Sequence, residues 1–495
     1  MSPPPELDLF SNEIYQDEIR KRSWIKVNPT SSINEITDSI QFNIESNDEE
    51  YVDLKNSYLY IKLKVVKNDG TNLPYWNQFT GNPSHALALE SNPPSTLWRR
   101  VEVKFNSVVV SDTSYHHYRC FIEKLINYNT TDARDGFLEL TGFVPWYDPA
   151  DISNGSFKKG DGMNSIPKIP YKQQQVTFKA ESNTNDVEFL YPGIKNEHFY
   201  NKCYYLPGSN DQEFIDLLHT DVNFQPKLIL PGVQIQYVFY RNDVDVCLLM
   251  DPDILHNQYN DKKPKVIISE MQLIISKVKV KTEIQQAHEA VLLKTPAVYP
   301  VTNMEIFNFD IAGGQQTARI ANAFYGRIPE RIICGFLKDN ILKGDIREPT
   351  FFFHHMGLQS MSCTFNGLEV TGYRLDTDYS YFNDQSGRTS ILPLFQLYLN
   401  TRNIAFNPTF KINREQYNTQ GVNLYCFDFS RDPGGPISSP PETGTVSFEF
   451  KFGSALRHQK IDGSVEPMPI NFLVLGEFHK EIRITSDRRV TAIDL

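Results

Sequence analysis

Short stretches in which apolar and polar residues alternate constrain the fold of this chain more than any other feature. Successive side chains of a strand point to opposite faces, so strict alternation predicts a strand with one buried face and one wet face. In residues 58–66 the predicted inward side chains are Leu59, Ile61, Leu63 and Val65. Comparable stretches occupy residues 101–105, 233–239 and 446–452. Strands of this kind are typical of two antiparallel sheets packed face to face.

The composition also favours an all-β chain. Among 495 residues there are 33 Phe and 25 Tyr, and aromatic side chains suit the half-buried surface of a sheet. The 30 Pro and 26 Gly predict many short strands joined by turns and long loops. Helical spacing of apolar residues predicts only a few short helices, at residues 115–128, 211–219, 283–292 and 391–400.

The chain contains a faint internal repeat. Residues 103–110 (VKFNSVVV) match residues 363–370 (CTFNGLEV) at an offset of 260 residues. In both copies a strand runs into Asn-Ser or Asn-Gly, which is the signal for a tight two-residue hairpin, and an amphipathic helix and a further strand follow. The signature residues of the two hairpins are Phe105, Asn106 and Ser107, and Phe365, Asn366 and Gly367. The repeat predicts two β-sandwiches of one plan in tandem.

Shifts in composition predict the boundaries of these two sandwiches. Residues 1–22 are rich in proline and then in charge, which predicts an N-terminal arm outside the core. A polar stretch near the middle of the chain predicts a linker at residues 256–264. We therefore expect the first sandwich at residues 23–255, with a loop insertion at about 129–210, and the second at residues 265–495.

The motifs that carry catalysis or bind cofactors are not recognisable in the sequence. Residues 155–165 have glycines at spacings close to those of phosphate-binding loops, but Asp161 stands where such a loop needs lysine. The adjacent pairs His116-His117 and His354-His355 are poorly placed to chelate one ion, because neighbouring side chains diverge on both strands and helices. We therefore expect no catalytic residue, no cofactor and no metal ligand, and we predict that the chain is not an enzyme.

The charge balance argues against a surface that coats nucleic acid. The chain carries 49 Lys+Arg and 60 Asp+Glu, a net charge of −11, whereas phosphate neutralisation needs positive patches. Five basic residues near the two ends are nevertheless candidates for contact with a polyanion, either packaged nucleic acid or lipid headgroups: Arg20, Lys21, Arg22, Arg488 and Arg489. The alternative interpretation of these residues is a solvated face.

The six cysteines form no C-x-x-C pair, so the sequence predicts neither a disulfide framework nor a zinc ribbon. The N-terminus shows no basic segment followed by an apolar one, and no run approaches the ~18 apolar residues of a membrane helix. We expect a protein that is made in a reducing compartment and is not secreted.

Several segments, in order along the chain, resemble a family of viral proteins. The sequence is similar to the double-jelly-roll major capsid proteins of Polinton/Maverick elements, adintoviruses and polinton-like viruses. The similar segments span about residues 50–490 and are 58–63 (YLYIKL), 101–106 (VEVKFN) with the helix that follows, 146–148 (WYD), 217–221 (LLHTD), 228–233 (LILPGV), 274–280 (IISKVKV) with His288 downstream, 312–314 (AGG) and 352–355 (FFHH).

The resemblance implies two tandem eight-stranded jelly rolls. It further implies that three copies close into a pseudo-hexameric capsomer, and that capsomers tile the icosahedral shell of a double-stranded DNA virus. The implied partners are the other subunits of a homotrimer, neighbouring capsomers, and penton and minor capsid proteins. Outer loops would face a host-surface glycan or receptor, and the termini would face the genome or an internal membrane. The implied location is the virion capsid, after synthesis in the cytoplasm or nucleus of the host cell.

Two other classes of protein stay open as alternatives. One is an enzyme built on tandem jelly rolls, such as a copper monooxygenase or an amidase. Enzymes of that kind are secreted and disulfide-linked, and for copper they need separated histidine ligands, none of which the sequence predicts. The other is a carbohydrate-binding module that uses exposed aromatic residues, with Trp76, Trp98 and Trp146 as candidates.

Overall fold

A computed structural model describes most of the chain. The described residues are 17–33, 37–45, 47, 49–73, 87–127, 139–143, 175–179, 186–190, 209–250, 262–346, 348–377, 391–401, 412, 414–419, 421–430, 442–459 and 465–495. Residues 1–16 of the predicted arm, most of the predicted insertion, residues 256–261 of the predicted linker, and Trp76 and Trp146 lie outside the described residues.

Strands dominate the described residues. In the first part of the chain they are β1 Ile19–Val27, β2 Ser39–Ile44, β3 Tyr51–Val66, β4 Leu87–Leu89, β5 Trp98–Phe105, β6 Val108–Ser114, β7 Gln175–Lys179, β8 Asp186–Leu190, β9 Gln212–Leu217, β10 Ile235–Arg241, β11 Leu248–Met250 and β12 Lys265–Val280. In the second part they are β13 Ala297–Ile311, β14 Thr317–Ile320, β15 Arg331–Lys338, β16 Leu358–Phe365, β17 Leu368–Glu369, β18 Leu375–Asp376, β19 Leu424–Asp428, β20 Val446–Phe452, β21 Arg457–Gln459, β22 Val465–Pro467, β23 Ile470–Ile484 and β24 Val490–Asp494.

Both halves build the same pair of sheets. The sheet orders are β1-β12-β3-β9 and β2-β10-β5-β6 in the first half, and β13-β23-β15-β19 and β14-β20-β16-β17 in the second. When the eight sandwich strands of each half are numbered along the chain, both halves read 1-8-3-6 and 2-7-4-5. This shared order is that of two eight-stranded jelly rolls in tandem, so the predicted fold class is confirmed.

The alternating stretches form strands with the predicted faces. Leu59, Ile61, Leu63 and Val65 of β3 are at most 3% exposed, and they lie in the core between the two sheets of the first jelly roll. The corresponding core of the second jelly roll is rich in phenylalanine, with Phe448 and Phe450 of β20 packed edge-on against Phe472 of β23. The predicted alternation is therefore confirmed as the pattern that fills each sandwich.

The helices are short. They are α1 Pro93–Thr96, α2 His116–Asn127, α3 Val244–Cys247, α4 Thr282–Leu292, α5 Asp339–Lys343, α6 Leu392–Asn400 and α7 Arg414–Thr419, with 3₁₀ turns at Glu139–Thr141 and Asp221–Asn223. Three of the predicted helices are confirmed as α2, α4 and α6. Within the described ranges, none of the helices has the length and apolar character that a membrane crossing needs.

The helix predicted at residues 211–219 is wrong. Residues 212–217 form β9, which pairs antiparallel with β3 along its whole length. Asp216 is fully buried there and binds Lys124. A buried carboxylate on the inward face interrupts the apolar alternation by which the strand would have been recognised.

The predicted domain boundaries also differ from the structure. β12, predicted to open the second sandwich, lies between β1 and β3 and closes the first one. Residues 19–22, predicted to belong to the arm, pair with β12 as the start of β1. Both differences have one cause: the last strand of a jelly roll pairs with its first and third strands, and composition does not reveal such distant partners. In the described residues the first jelly roll runs from β1 through β12, and α4 connects it to the second.

Candidate functional site: the seam between the jelly rolls

The first predicted hairpin joins β5 to β6. Phe105 is fully buried and pairs with Val108, so the turn consists of Asn106 and Ser107 alone. Both turn residues have positive φ, 47° and 71°, as a type I′ turn requires. The backbone N–H of Asn106 donates to the carbonyl of Gln234 (2.9 Å), and its side-chain Oδ1 accepts from the N–H of Gln234 (2.8 Å). The hairpin tip is thereby fixed to the start of β10.

The second predicted hairpin repeats this arrangement between β16 and β17. Phe365 pairs with Leu368 around Asn366 and Gly367, whose φ values are 49° and 83°. The N–H of Asn366 donates to the carbonyl of Thr445 (2.9 Å), and its Oδ1 accepts from the N–H of Thr445 (2.9 Å). Two turns with the same conformation and the same reciprocal pair of hydrogen bonds are strong support for an internal duplication.

The two jelly rolls meet along a contact that we call the seam, and its apolar part lies between α2 and residues 350–353. The rings of Phe121 and Phe351 stack in parallel with their centroids 4.4 Å apart. Tyr118 packs edge-on against Phe351 and Phe353, at centroid distances of 5.6 and 6.0 Å, and its hydroxyl donates to the carbonyl of Thr350 (3.1 Å). Each such aromatic pair adds about 0.5–1.5 kcal/mol beyond area burial.

The polar face of α2 is buried as well. Arg119 is fully buried, and its guanidinium donates to Glu123 Oε1 (2.8 Å), Asp221 Oδ1 (2.6 Å) and Thr113 Oγ1 (2.8 Å). Asp221 Oδ1 also accepts from the backbone N–H of Met304 in β13, at 3.1 Å. This ion pair in the first jelly roll therefore also binds the backbone of the second.

Further charges extend this group. The Lys124 ammonium donates to both carboxylate oxygens of Asp216 and to Asn92 Oδ1, each at 2.7 Å. His219 Nδ1 lies 2.8 Å from Glu123 Oε2. We call this set the charge cluster: two cations, Arg119 and Lys124, face the three carboxylates Glu123, Asp216 and Asp221, with His219 beside them.

Burial and pairing act against each other on the pKa values of the charge cluster. Burial raises the pKa of Glu123, but Arg119 and His219 lower it more, and the result is a pKa below the usual 4.5. Burial lowers the pKa of Lys124 below its usual 10.5, although Asp216 opposes this shift. The charge cluster was not predicted from the sequence, because the polar residues of an amphipathic helix usually face water. The four-residue spacing of Arg119 and Glu123 on a helix was the one sequence pattern that could have predicted their ion pair.

A second polar contact across the seam centres on Arg488, in the turn between β23 and β24. Its Nε donates to the carbonyl of Pro231 (2.7 Å), and its Nη2 donates to Glu289 Oε1 (2.5 Å). Its own carbonyl accepts from Asn106 Nδ2 (2.7 Å), so the signature hairpin of the first jelly roll touches the C-terminal turn of the second.

The five basic residues predicted to meet a polyanion fall into two groups. Arg22 donates to Asp53 Oδ2 (2.6 Å), and Arg488 is bound within the seam, so both guanidinium groups already have carboxylate partners. Three of the five basic residues, Arg20, Lys21 and Arg489, are exposed without an ion pair in the described part of the chain.

The structure gives no support to the alternative candidates within its described part. The described residues contain no group of three His, Cys, Asp or Glu side chains that could hold a metal ion. His354 Nδ1 accepts from the backbone N–H of Met356 (2.9 Å) and His355 Nδ1 accepts from the backbone N–H of Gly357 (2.9 Å), so one ring nitrogen of each is already bound within the fold. Trp98, predicted as a candidate for stacking on a sugar, is 0% exposed and cannot do so.

Comparison with known proteins supports the fold. No family model matches the chain. One curated relative, the uncharacterized protein F54H12.2 of Caenorhabditis elegans, is 18% identical over 401 residues, which are 79% of this chain and 80% of the relative.

Two solved structures are similar over nearly their whole length. A chain of the 3.5 Å cryo-EM structure of the Sputnik virophage gives a TM-score of 0.55 at 12% identity, covering 100% of this chain and 92% of that one. A chain of the quasi-atomic model of the PBCV-1 virus capsid gives 0.53 at 12% identity, covering 98% and 99%. At this identity the likeness shows the fold, and together with the repeated sheet order it establishes that this chain is a double jelly roll.

Proposed function

We propose that this protein is a major capsid subunit, and that three copies close into a pseudo-hexameric capsomer. The observation that carries the proposal is the identical strand order of two jelly rolls joined by a buried seam. Three chains with two similar walls each would present six similar walls, so a trimer can occupy a sixfold position in a shell. Association would also cover sheet edges that a free jelly roll leaves open.

The similar solved structures come from the Sputnik virophage and from the PBCV-1 capsid, and this supports a role in a virion. We propose an icosahedral shell of a double-stranded DNA virus, with neighbouring capsomers, penton and minor capsid proteins as further partners. The assignment to the Polinton/Maverick, adintovirus and polinton-like virus family rests on the ordered segments between residues 50 and 490. In this proposal function resides in interfaces rather than in a catalytic pocket.

The main test is the mass and outline of the assembled particle. Purified protein should have a native mass of three times 57.0 kDa, which is 171 kDa, and a hexagonal outline by negative-stain microscopy. The trimer should persist on dilution into the nanomolar range, as expected for a large obligate interface. A chain that stays monomeric at every concentration, or a trimer with a three-lobed rather than hexagonal outline, would overturn the proposal.

The proposed polyanion contact is restricted to Arg20, Lys21 and Arg489, because these cations are exposed without ion pairs in the described part of the chain. Binding of a fluorescent DNA duplex should weaken in the variant Arg20→Gln/Lys21→Gln, and the slope of log affinity against log salt should fall by about two. The matched control is Lys343→Gln, which removes an exposed lysine already paired with Asp339. Equal loss in both variants would indicate a general charge effect and refute a specific contact.

A further inference from the structure

The outer face of α6 carries an apolar stripe. Ile391, Phe395 and Leu399 are spaced four residues apart and therefore lie on one side of the helix, where they are 60%, 55% and 48% exposed. Residues 391–400 (ILPLFQLYLN) contain no charged side chain. A surface helix normally shows charged or polar residues to water, so this face has the composition of an interface core.

The inner face of α6 is already occupied by its own jelly roll. Leu394 and Leu397 are at most 8% exposed and lie in the core that also contains α2. Asn400 Nδ2 donates to the carbonyl of Cys426 in β19 (2.7 Å), and the Tyr398 hydroxyl donates to the carbonyl of Ile412 (2.8 Å). The helix is thus fixed in place, and the stripe faces outward from a rigid element.

The position of α6 in the second jelly roll is that of α2 in the first. Each helix lies between the fifth and sixth sandwich strands of its half: α2 between β6 and β9, and α6 between β17 and β19. Within one chain, α2 presents Tyr118 and Phe121 to the second jelly roll, where Phe351 covers them. In the described part of the single chain, no side chain covers Phe395 as Phe351 covers Phe121, and Phe395 is left 55% exposed.

We propose that the stripe of α6 docks on the first jelly roll of a second copy of this chain, as α2 docks on the second jelly roll within one chain. This inference rests on the proposed trimer and names the surface that builds it. The contact joins unlike surfaces of two identical chains, so it repeats from copy to copy and closes when the rotation per copy is one third of a turn. The seam within each chain and the α6 contact between chains then alternate around the ring.

The first experiment removes the stripe. The variant Phe395→Asp/Leu399→Asp should remain folded, because both positions are half exposed in the single chain, while the concentration at which the trimer dissociates rises at least about tenfold. The matched control is Leu293→Asp, which adds a carboxylate at a 78% exposed leucine at the end of α4 and should leave the trimer intact. Circular dichroism and the native mass are measured for all three proteins.

The second experiment identifies what the stripe touches and keeps the aromatic character of the position. Phe395 is replaced by photoreactive benzoylphenylalanine in ¹⁵N-labelled protein, which is mixed with unlabelled wild type and irradiated. The expected cross-link joins residue 395 to a peptide between residues 19 and 280 of the other copy. Cross-links to residues 297–494 of another copy, or a Phe395→Asp/Leu399→Asp trimer as stable as wild type, overturn the inference while the capsomer proposal stands. A monomeric wild type overturns both.

Discussion

The charge cluster allows one prediction to be worked out in detail, and the perturbation is Lys124→Met. The Lys124 side chain is 1% exposed, and its ammonium group makes three hydrogen bonds of 2.7 Å, two of them to Asp216. Methionine has nearly the same length and volume, so the substitution leaves little cavity and removes chiefly the charge.

The expected loss of stability follows from what remains around Asp216. Its carboxylate is 1% exposed and keeps hydrogen bonds from two neutral donors, the hydroxyl of Ser95 (3.0 Å) and the backbone N–H of Leu217 (2.8 Å), while His219 Nε2 lies 4.0 Å from its Oδ1. Removing one partner of a buried ion pair costs about 3–5 kcal/mol, because the other charge stays buried without compensation. Removing both charges costs much less, so Lys124→Met/Asp216→Asn should lose at least about 2 kcal/mol less than Lys124→Met alone.

Urea unfolding followed by tryptophan fluorescence measures this loss in the free energy of unfolding. All four tryptophans lie between residues 24 and 146, so the signal reports the first jelly roll, which holds the cluster. The unfolding midpoint of an oligomer depends on concentration, so all variants are compared at one protein concentration. A loss below about 1 kcal/mol for Lys124→Met, or a double variant that loses the sum of the two single variants, would refute a buried ion pair at this position.

Three further predictions concern the seam, acid stability and the hairpins. Arg488→Ala should cost about 1.5–3 kcal/mol in urea unfolding, because it removes charge-assisted bonds across the seam, whereas Arg489→Ala, at an exposed position, should cost less than about 0.5 kcal/mol. Burial raises the pKa of Glu123 in the folded protein, but Arg119 and His219 together lower it more and keep it below 4.5. The contribution of Glu123 to stability is therefore present above pH 4.5 and is lost as the pH falls through the folded-state pKa, and Glu123→Gln should make the midpoint less dependent on pH in that range. Asn366→Ala should cost about 1–2 kcal/mol by strain at φ 49° and loss of an acceptor, and Asn366→Gly should recover only the strain, as a comparison of their melting temperatures would show.

Local patterns in the sequence were sufficient to predict the strands with alternating residues and the two hairpins. The alternation in β3 depends only on neighbouring residues, and the four inward side chains predicted there are buried. The turn at Asn366 and Gly367 was also predictable to the residue, because a two-residue hairpin needs positive φ at both positions and few residue types accept it.

Features that depend on distant partners were not predictable in this way. β12 has the alternation of a strand, but only its pairing with β1 and β3 assigns it to the first jelly roll. Asp216 and Lys124 are 92 residues apart, and neither residue alone indicates burial. Arg488 looked like part of a basic terminus, although its guanidinium reaches Pro231 across the seam. Each of these is set by tertiary contact rather than by local preference.

The two equivalent helices differ in a way that makes the two jelly rolls non-interchangeable. α2 presents Arg119 and Lys124 to carboxylates of its own jelly roll, whereas α6 presents Leu394 and Leu397 at its inner face. If α2 took the place of α6, two cations would be buried against apolar side chains, which costs several kcal/mol for each unpaired charge. The charge cluster therefore makes α2 and α6 unequal, although they occupy equivalent positions in the two jelly rolls. The apolar outer stripe lies on α6 alone, and in the proposed trimer a second copy would cover it.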